Sequence, residues 1–385
     1  MSKKIFIVSG GTGGHIIPAK CLANYLVKKG LEVTFIGDRN YIKYHDFKRD
    51  KFLYKIVLSS QFSKGFRAFC RFFIFSSIGI LQSLLWIIAK RPKYIIAFGG
   101  YTTFPMLVAA VIFRRRIILH EQNSVLGKVN RLFAKFAYKI ALTFEDTKLL
   151  LKEFKSKSYH TGIPLRPEIY KLSKSEYTLP KFKKPAINKE ARMGYNVILN
   201  SNFYQKSKSE YFRILVLGGS GGAKIFSDIL PKAFFNLSEE IKRKIWVTQQ
   251  CRVENKEETF KQYCKLNINI TVDSFFKNMP QLIKESHLII SRSGASSSFE
   301  FLCAKRPMIL IPLKSSADNH QKLNAKLLKN KGAAIVIDES DFTINKASKF
   351  IEKLVGDNRI LQEMSSNAAQ IINLDCESKI LELIK

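Results

Sequence analysis

The sequence predicts an α/β protein with two doubly wound parallel-sheet domains. A strand that runs into a glycine-rich turn and then a helix occurs twice, at residues 5–16 and 214–224. Such a loop lets backbone N–H groups approach a phosphate at the positive end of the following helix. The length of 385 residues exceeds what one hydrophobic core usually serves, which favours two domains. Apolar strands alternate with helices in both halves, as in parallel sheets covered on both faces.

The first half of the chain predicts one of these sheets. Its apolar pattern predicts strands at 5–9, 32–37, 94–98, 116–120 and 139–143, with helices at 16–29 and 105–113. Residues 158–167 are rich in turn formers and are interpreted as a crossing segment and hinge. We expect this domain to cover residues 1–163 and to be completed by a C-terminal helix at 359–385.

The second half predicts a second sheet after an interruption. Residues 171–211 are rich in Lys, Ser and Pro without periodicity, and we interpret them as an exposed insertion. Strands are predicted at 214–217, 244–248, 268–272, 288–291, 308–311 and 334–337, and helices at 343–355 and 359–373. The second domain is therefore expected to cover 164–358.

The composition indicates a basic protein of a reducing compartment. The net charge is +33, and from Lys51 to His120 the chain contains no Asp or Glu. That one-sided stretch predicts an anionic partner, either lipid headgroups or nucleic acid, with lysine-rich composition alone as the alternative. The six cysteines form no Cys-x-x-Cys pair, so neither a metal site nor a disulfide framework is predicted. Because the chain enters its first strand directly, we expect no signal peptide.

An uncharged apolar segment lies at residues 72–89, within the basic stretch. Its length is marginal for a transmembrane helix, but it sits between two strands of one predicted sheet, which argues against spanning. A buried core helix and an amphipathic helix on a membrane surface are the remaining alternatives, and the flanking arginines favour the second. The predicted membrane patch comprises Arg67, Arg71, Phe72, Phe73, Trp86, Arg114 and Arg115.

Polar and glycine-rich loops follow several predicted strands. Neither glycine loop is a dinucleotide fingerprint, because Ile16 and Lys224 occupy the place of the third glycine. His15 ends the first loop, where a histidine can act as a base or a cationic clamp, or simply cap a carbonyl. Gly99-Gly100-Tyr101 and His120-Glu121-Gln122-Asn123 follow two further strands. Since ligands bind beyond the carboxyl ends of parallel strands, these loops are expected to converge on one site.

The second half carries a comparable set of loops. Residues 291–300 run from a strand through small hydroxyl residues into a helix, and Glu300 is placed to accept the two hydroxyls of a ribose. Asp318, Gln321 and Asn324 follow the next strand, where amide groups can pair with sugar hydroxyls. Ordinary helix capping explains any one of these residues, but the ordered set predicts a nucleotide-sugar site.

Together and in this order, the motifs resemble the MurG family of bacterial glycosyltransferases, classified in glycosyltransferase family 28. The resemblance covers residues 5–168 and 214–373. Its carriers are GGTGGH at 10–15, GGY at 99–101, HEQN at 120–123, TG-x-P-x-R at 161–166, GGS-x-GA at 218–223, RSGA at 292–295 with Glu300, and D-x-x-Q-x-x-N-A at 318–325.

The resemblance implies a GT-B fold, meaning two Rossmann-like domains with a cleft between them, and assigns roles to residues. His15 is the candidate base, Glu300 the ribose ligand and Phe276 the neighbour of the uracil. The implied site for UDP-N-acetylglucosamine (UDP-GlcNAc) comprises Thr12, Gly13, Gly14, Asn123, Arg166, Ser220, Phe276, Ala295, Ser296, Ser297, Glu300 and Gln321. The implied acceptor-diphosphate loops comprise Gly11, Thr12, Gly13, Gly14, His15, Gly99, Gly100 and Tyr101. The chain departs from the family pattern at Ile163, Ser297 and Phe276.

The implied reaction is inverting transfer of N-acetylglucosamine to the C4 hydroxyl of N-acetylmuramic acid in undecaprenyl-pyrophosphoryl-MurNAc-pentapeptide (lipid I), which forms lipid II. No cofactor or metal is expected, because Arg166, the Ser220 loop and a helix dipole would stabilise the departing diphosphate. Implied partners are anionic inner-membrane lipids and cell-wall synthesis and division proteins, with a peripheral location on the cytoplasmic face of the inner membrane. Another GT-B transferase and a non-catalytic nucleic-acid-binding protein are the alternatives, and the sequence contains no recognised nucleic-acid motif, so no nucleic-acid partner is expected.

Overall fold

The computed structural model describes residues 3–44, 50–61, 65–180, 211–219, 222–266 and 268–385. The chain divides into two compact units. The first contains Met1–Pro167 and Asn373–Lys385, and the second contains Glu168–Ile372. The chain thus returns to the first unit only after residue 372, so residues 359–371, which were expected to complete the first unit, belong to the second.

The first unit is built on a seven-stranded parallel sheet with the order β3-β2-β1-β4-β5-β6-β7. Its strands are β1 (Lys4–Val8), β2 (Glu32–Gly37), β3 (Leu53–Ile56), β4 (Tyr94–Ala97), β5 (Arg116–Glu121), β6 (Lys139–Leu142) and β7 (Ser158–His160). Its helices are α1 (Gly13–Lys28), α2 (Phe66–Lys90), α3 (Phe104–Ile112) and α4 (Lys128–Phe133). The order reverses between β1 and β4, which is the point where doubly wound sheets bind ligands.

The last helix of the chain closes one face of this sheet. Its buried Cys376 and Ile380 belong to the same core cluster as Ile5, Ile7 and residues of α1. We number it α14 (Cys376–Leu383). A second core cluster, which includes Phe6, Val8 and residues of α3, fills the opposite face. Strand residues therefore alternate between two buried faces, which explains why these strands are continuously apolar.

The second unit repeats this architecture with six parallel strands in the order β10-β9-β8-β11-β12-β13. Its strands are β8 (Phe212–Leu217), β9 (Ile245–Gln250), β10 (Asn269–Asp273), β11 (Leu288–Ser291), β12 (Met308–Leu310) and β13 (Ala334–Val336). Its helices are α5 (Pro167–Leu172), α6 (Lys224–Phe235), α7 (Glu239–Lys244), α8 (Lys256–Cys264), α9 (Met279–Glu285), α10 (Ala295–Cys303), α11 (His320–Asn330), α12 (Ile344–Gly356) and α13 (Asn358–Ile371). Here the order reverses between β8 and β11.

The expected exposed insertion at 171–211 is wrong for its first residues. Tyr177 and Leu179 pack against the core of the second unit, and the Tyr177 hydroxyl donates to the carbonyl of His287 over 2.8 Å. Residues 181–210 lie outside the described residues.

Helix α2 exposes most of its large apolar side chains, unlike an ordinary amphipathic surface helix. Its buried residues are Ser76, Gly79, Ser83 and Ile87, whereas the rest of its apolar surface is largely exposed. Within the described part of the chain it is the one helix long and apolar enough to cross a membrane, with a mean hydropathy of 2.0 and 22% of that window buried. The buried-core alternative is therefore wrong for this segment. The flanking strands β3 and β4 belong to one sheet, which keeps both helix ends beside that sheet.

Candidate functional site

Two glycine turns meet at the switch point of the first sheet. Gly11 in the loop after β1 and Gly100 in the loop after β4 have φ values of +85° and +81°, which L-residues rarely adopt. A Cβ at Gly10 would collide with the side chain of Thr102, so the two loops fit together only because this position is glycine. The sequence correctly brings these loops to one sheet edge.

His15 is held through one ring nitrogen. Its Nδ1 lies 2.8 Å from the carbonyl oxygen of Phe98 and 2.7 Å from Oε1 of Gln122. Both atoms are acceptors, so Nδ1 carries the proton and Nε2 is left with its lone pair. Within the described residues, Nε2 of His15 makes no hydrogen bond.

The orientation of the Gln122 amide follows from its other contacts. Its nitrogen donates to the His120 carbonyl over 3.0 Å and to His120 Nδ1 over 2.9 Å. His120 Nε2 therefore carries a proton and donates to the Gly162 carbonyl over 3.2 Å. Complete burial lowers the pKa of His120 to about 3, so this histidine stays neutral. The chain from His120 through Gln122 thereby fixes the tautomer of His15.

Glu121 organises the amide of Asn123 at the same edge. Its carboxylate accepts from the backbone N–H and the side-chain nitrogen of Asn123 at 3.0 and 3.2 Å. It also accepts from Gly127 N at 2.8 Å and Asn130 Nδ2 at 2.9 Å. Asn123 is half-buried and thus accessible, while Glu121 is buried. Of the HEQN motif, His120, Glu121 and Gln122 are buried and Asn123 is half-buried.

In the second unit, the loop after β11 leads into the N-terminus of α10. Ser296 and Ser297 lie half-buried in the first turn of the helix, and Glu300 is 6% exposed one turn further along. Arg292 of the same loop donates to the carbonyls of Ile311 and Pro312 and forms an ion pair with Glu339. Arg292 therefore attaches this loop to the segment after β12 and to Glu339. The N-terminus of α10 supplies the positive potential.

The loop before α11 is anchored to this one. Asn324 Nδ2 donates to the Ser293 carbonyl over 3.2 Å, and the Ser293 hydroxyl donates to the Gln321 carbonyl over 2.8 Å. The Gln321 side chain accepts from Leu313 N at 3.0 Å. Asp318 and Asn319 both adopt the left-handed region, with φ of 50° and 54°. Strained non-glycine backbone of this kind concentrates at ligand sites.

The implied donor-site residues differ in their surroundings. Ser220 lies outside the described residues. Phe276 is 4% exposed, whereas the neighbouring Phe275 is 62% exposed. Arg166 is half-buried in the first unit. Sequence reasoning did not select Asp38, although an acidic residue directly after a parallel strand is a signal for this edge.

In the described ranges, no cluster of three or more His, Cys, Asp or Glu side chains could hold a metal ion.

Comparison with known proteins places both units in one family. The glycosyltransferase family 28 N-terminal domain model matches residues 5–142, and the C-terminal domain model matches residues 213–379. A Rickettsia prowazekii protein named UDP-N-acetylglucosamine–N-acetylmuramyl-(pentapeptide) pyrophosphoryl-undecaprenol N-acetylglucosamine transferase is 36% identical, covering 98% of this chain and 97% of its own. A Zymomonas mobilis protein of the same name is 32% identical, covering 100% of this chain and 92% of its own.

Solved structures agree on the fold. The crystal structure of Acinetobacter baumannii MurG superposes with a TM-score of 0.72 at 21% identity, covering 99% of each chain. The S. aureus MnaA structure with UDP superposes with a TM-score of 0.68 at 16% identity, covering 100% of this chain and 96% of its own. These likenesses confirm the predicted class of two Rossmann-like parallel-sheet domains. The chain is a glycosyltransferase, and it belongs to glycosyltransferase family 28 and, within it, to the MurG family that its motifs resemble.

Proposed function

We propose that this glycosyltransferase transfers N-acetylglucosamine from UDP-GlcNAc to the C4 hydroxyl of N-acetylmuramic acid in lipid I, with inversion, and so forms lipid II. The relatives that share about a third of its residues over nearly the whole chain are named for this transfer. The observation that carries the proposal is the fixed tautomer of His15, which leaves a basic nitrogen beside two glycine loops.

His15 is the proposed general base. Attack on the anomeric carbon requires that the acceptor hydroxyl lose its proton as the new bond forms. His15 Nε2 can accept that proton, and the resulting positive charge is stabilised through Nδ1–H by the Phe98 carbonyl and the Gln122 amide oxygen. Direct attack on the face opposite UDP converts an α-linked donor into a β-linked product.

The donor site is proposed at the edge of the second sheet. Glu300 would accept the ribose hydroxyls, Gln321 would contact the sugar, and the N-terminus of α10 would face the diphosphate. Ala295, Ser296 and Ser297 provide the first-turn N–H groups of that helix, which attract negative charge. Arg166 and the Ser220 loop are proposed to stabilise the leaving UDP, which would make a metal ion unnecessary.

The acceptor is proposed to reach the enzyme from a membrane surface. The exposed face of α2 carries apolar side chains, Arg67 and Arg71 are exposed in its first two turns, and Arg114 is exposed after α3. An apolar helix face with exposed arginines on the same helix suits peripheral docking to anionic lipid. We place the enzyme on the cytoplasmic face of the inner membrane, where its lipid-linked acceptor and UDP-GlcNAc are both accessible.

The deciding experiment is transfer by the purified chain from radiolabelled UDP-GlcNAc to a short-chain lipid I analogue. A disaccharide product with a β linkage, formed equally with and without chelator, is expected. Hydrolysis of UDP-GlcNAc without transfer, or transfer only to another acceptor, would contradict the proposal. Loss of transfer with EDTA, restored by a divalent cation, would overturn the metal-free part alone.

A further inference from the structure

A buried carboxylate of the first unit, Asp38, joins the two glycine loops of the site. It follows β2 directly and is 7% exposed. Its Oδ2 accepts from Gly11 N at 2.8 Å, from the Tyr101 hydroxyl at 3.1 Å and from the Thr102 hydroxyl at 3.1 Å. Its Oδ1 accepts from Asn40 N at 3.0 Å. One carboxylate thus connects the loop that ends in His15 with the loop that follows β4.

The partners of Asp38 are neutral. Within the described residues, neither Lys nor Arg forms an ion pair with it, so its charge is stabilised by hydroxyl and backbone donors. Charged acceptors make stronger hydrogen bonds than neutral ones, which gives this junction more rigidity than an amide would. Burial and the Asp38 charge also raise the pKa of Tyr101, so its hydroxyl stays protonated and keeps donating.

This arrangement changes how the first glycine loop can bind a ligand. The N–H of Gly11 is already used by Asp38, so it does not serve the acceptor diphosphate as the motif resemblance implies. The hydrogen bonds of Asp38 instead hold Gly11 and Gly100 in their left-handed conformations. Gly100 also lies close to His15, since a Cβ at Gly100 would be 3.8 Å from the His15 ring. A shift of either loop would therefore displace the proposed base.

We propose that Asp38 is a positioning residue for acceptor transfer, which holds the two glycine loops and His15 in register. The inference rests on the proposed function, because its kinetic consequence is measured on the lipid-linked acceptor. It acts through the loops and touches no reacting atom.

The test compares Asp38→Ala and Asp38→Asn with variants of a matched carboxylate. Asp50 is 8% exposed in the same unit and accepts from Asn24 Nδ2 at 2.9 Å, from the Tyr41 hydroxyl at 3.3 Å and from Lys20 at 3.1 Å. Asp38→Ala is expected to lower kcat/KM for the lipid I analogue about 10- to 100-fold with the KM for UDP-GlcNAc unchanged. Asp38→Asn is expected to recover part of the loss, because its amide oxygen still accepts from the loops. Asp50→Asn is expected to leave both KM values unchanged.

Hydrogen exchange gives a readout independent of transfer. Peptides covering residues 9–12 and 99–103 are expected to exchange faster in Asp38→Ala, and their protection is expected to be unaltered in Asp50→Asn. Equal acceptor kinetics in the Asp38 and Asp50 variants, or unaltered exchange, would overturn the inference. If Asp38→Ala does not fold, Thr102→Val removes one donor to the same oxygen and carries the same expectations. Wild-type enzyme without transfer would refute the proposed function, and the exchange data would still decide whether Asp38 orders the loops.

Discussion

At the residue scale, the reactivity of His15 depends on a glutamine. A histidine can act as a base only if its reactive nitrogen lacks a proton, and either ring nitrogen can lose it in water. Gln122 removes this ambiguity, because its own orientation is fixed by the carbonyl and Nδ1 of His120. The tautomer is thus determined by a buried histidine, whose pKa burial lowers to about 3, so that it is neutral at physiological pH.

Variants of His15 and Gln122 test the proposed base and the residue that orients it one at a time. His15→Ala is expected to lower kcat by about 10²- to 10⁴-fold while the KM for UDP-GlcNAc is retained, since general-base catalysis contributes that much. Gln122→Met is expected to lower kcat less, because Nδ1–H of His15 loses one of its two acceptors and the imidazole is held less firmly. Steady-state kinetics with both substrates measure the two effects.

The matched control for Gln122 is another buried glutamine. Gln249 of the second unit accepts from the Tyr263 hydroxyl at 2.7 Å and donates to Ser227 at 3.4 Å. Gln249→Met is expected to alter stability without lowering kcat. An unchanged kcat in His15→Ala would remove His15 as the base, and equal kcat values for the two glutamine variants would remove the tautomer role of Gln122.

Glu300 allows the donor site to be tested alone. Hydrogen bonds to a charged group contribute about 1.5–3 kcal/mol, so Glu300→Ala is expected to weaken UDP-GlcNAc binding by roughly 10- to 150-fold. Calorimetric titration with UDP-GlcNAc and with UDP measures this directly. The KM for the lipid I analogue serves as the internal control, and equal losses for donor and acceptor would contradict the ribose role.

Residue order along the chain predicted part of this site. The residues that follow parallel strands, such as His15 and Asn123, do lie at the expected sheet edges. The sequence did not indicate that Phe276 is buried and Phe275 exposed, because burial depends on packing that a motif does not specify. Asp38 was missed because its partners come from loops far apart in sequence.

At the element scale, α2 packs on its unit mainly through small residues and exposes large apolar side chains. Gly79 lets it approach the loop after β3, because a Cβ there would collide with the Leu58 carbonyl. Ser83 is buried and bonds the Gly79 carbonyl of its own helix over 2.7 Å, so its hydroxyl is satisfied. Small residues together with Ile87, Leu84 and the half-buried Trp86 attach the helix to the core, whereas Leu81, Leu85 and Ile88 are exposed.

The two faces of α2 are expected to respond oppositely to mutation. Gly79→Ala is expected to destabilise the first unit by about 1–3 kcal/mol, as overpacking does. Leu81 and Leu85 are 61% and 65% exposed, so their change to Asp is expected to leave stability within about 0.5 kcal/mol. The same pair of changes should reduce binding to anionic vesicles by at least tenfold, since each buried CH₂ contributes about 0.8 kcal/mol.

Charge reversal at Arg67, Arg71 and Arg114 completes this test. Each basic residue near an anionic surface contributes about 1 kcal/mol, so the triple variant is expected to bind vesicles containing anionic lipid more weakly than the wild-type protein does. Neither protein is expected to bind neutral vesicles. Vesicle sedimentation at two salt concentrations measures this. Retained binding by the triple variant, or by the Leu81 and Leu85 variant, would defeat the docking proposal.

Strand assignments succeeded where the strand is buried on both faces. The predicted ranges 32–37 and 288–291 coincide with β2 and β11. Strands β3 and β7 were missed because both are short edge strands with exposed side chains, which leaves no buried pattern to read. The C-terminal segment that completes the first unit is shorter than predicted. Helices α13 and α14 are both amphipathic, so only packing decides which core each helix joins.

At the scale of the whole molecule, the two units share an architecture and also a feature of their cores. Each buries a neutral histidine at its sheet, His120 in the first and His287 in the second. Burial lowers the pKa of both to about 3, with Arg306 and Arg213 adding to the effect at His287. His287 Nδ1 accepts from the backbone N–H of Arg213 at 2.8 Å, so the neutral form is part of the fold.

These histidines make stability depend on pH in a defined direction. Between pH 6.5 and about 3, His120 and His287 each bind a proton in the unfolded chain but not in the folded chain. The stabilisation is therefore complete above pH 6.5 and is lost as the pH falls, by at most about 1.4 kcal/mol per pH unit for each histidine. Carboxylates titrate in the same range, so the difference between matched variants is the informative quantity.

The second unit offers the clearer measurement of this dependence. The chain has two tryptophans, and Trp246 is fully buried beside Arg213 in the second unit. In a Trp86→Phe background, urea unfolding followed by Trp246 fluorescence at pH 7.5 and 5.5 reports that unit. His287→Asn keeps an acceptor for Arg213 N but does not titrate, so its free energy of unfolding is expected to fall less on acidification, by about 1 kcal/mol. Equal losses in the two proteins would show that His287 is protonated in the folded state and that burial does not suppress its pKa.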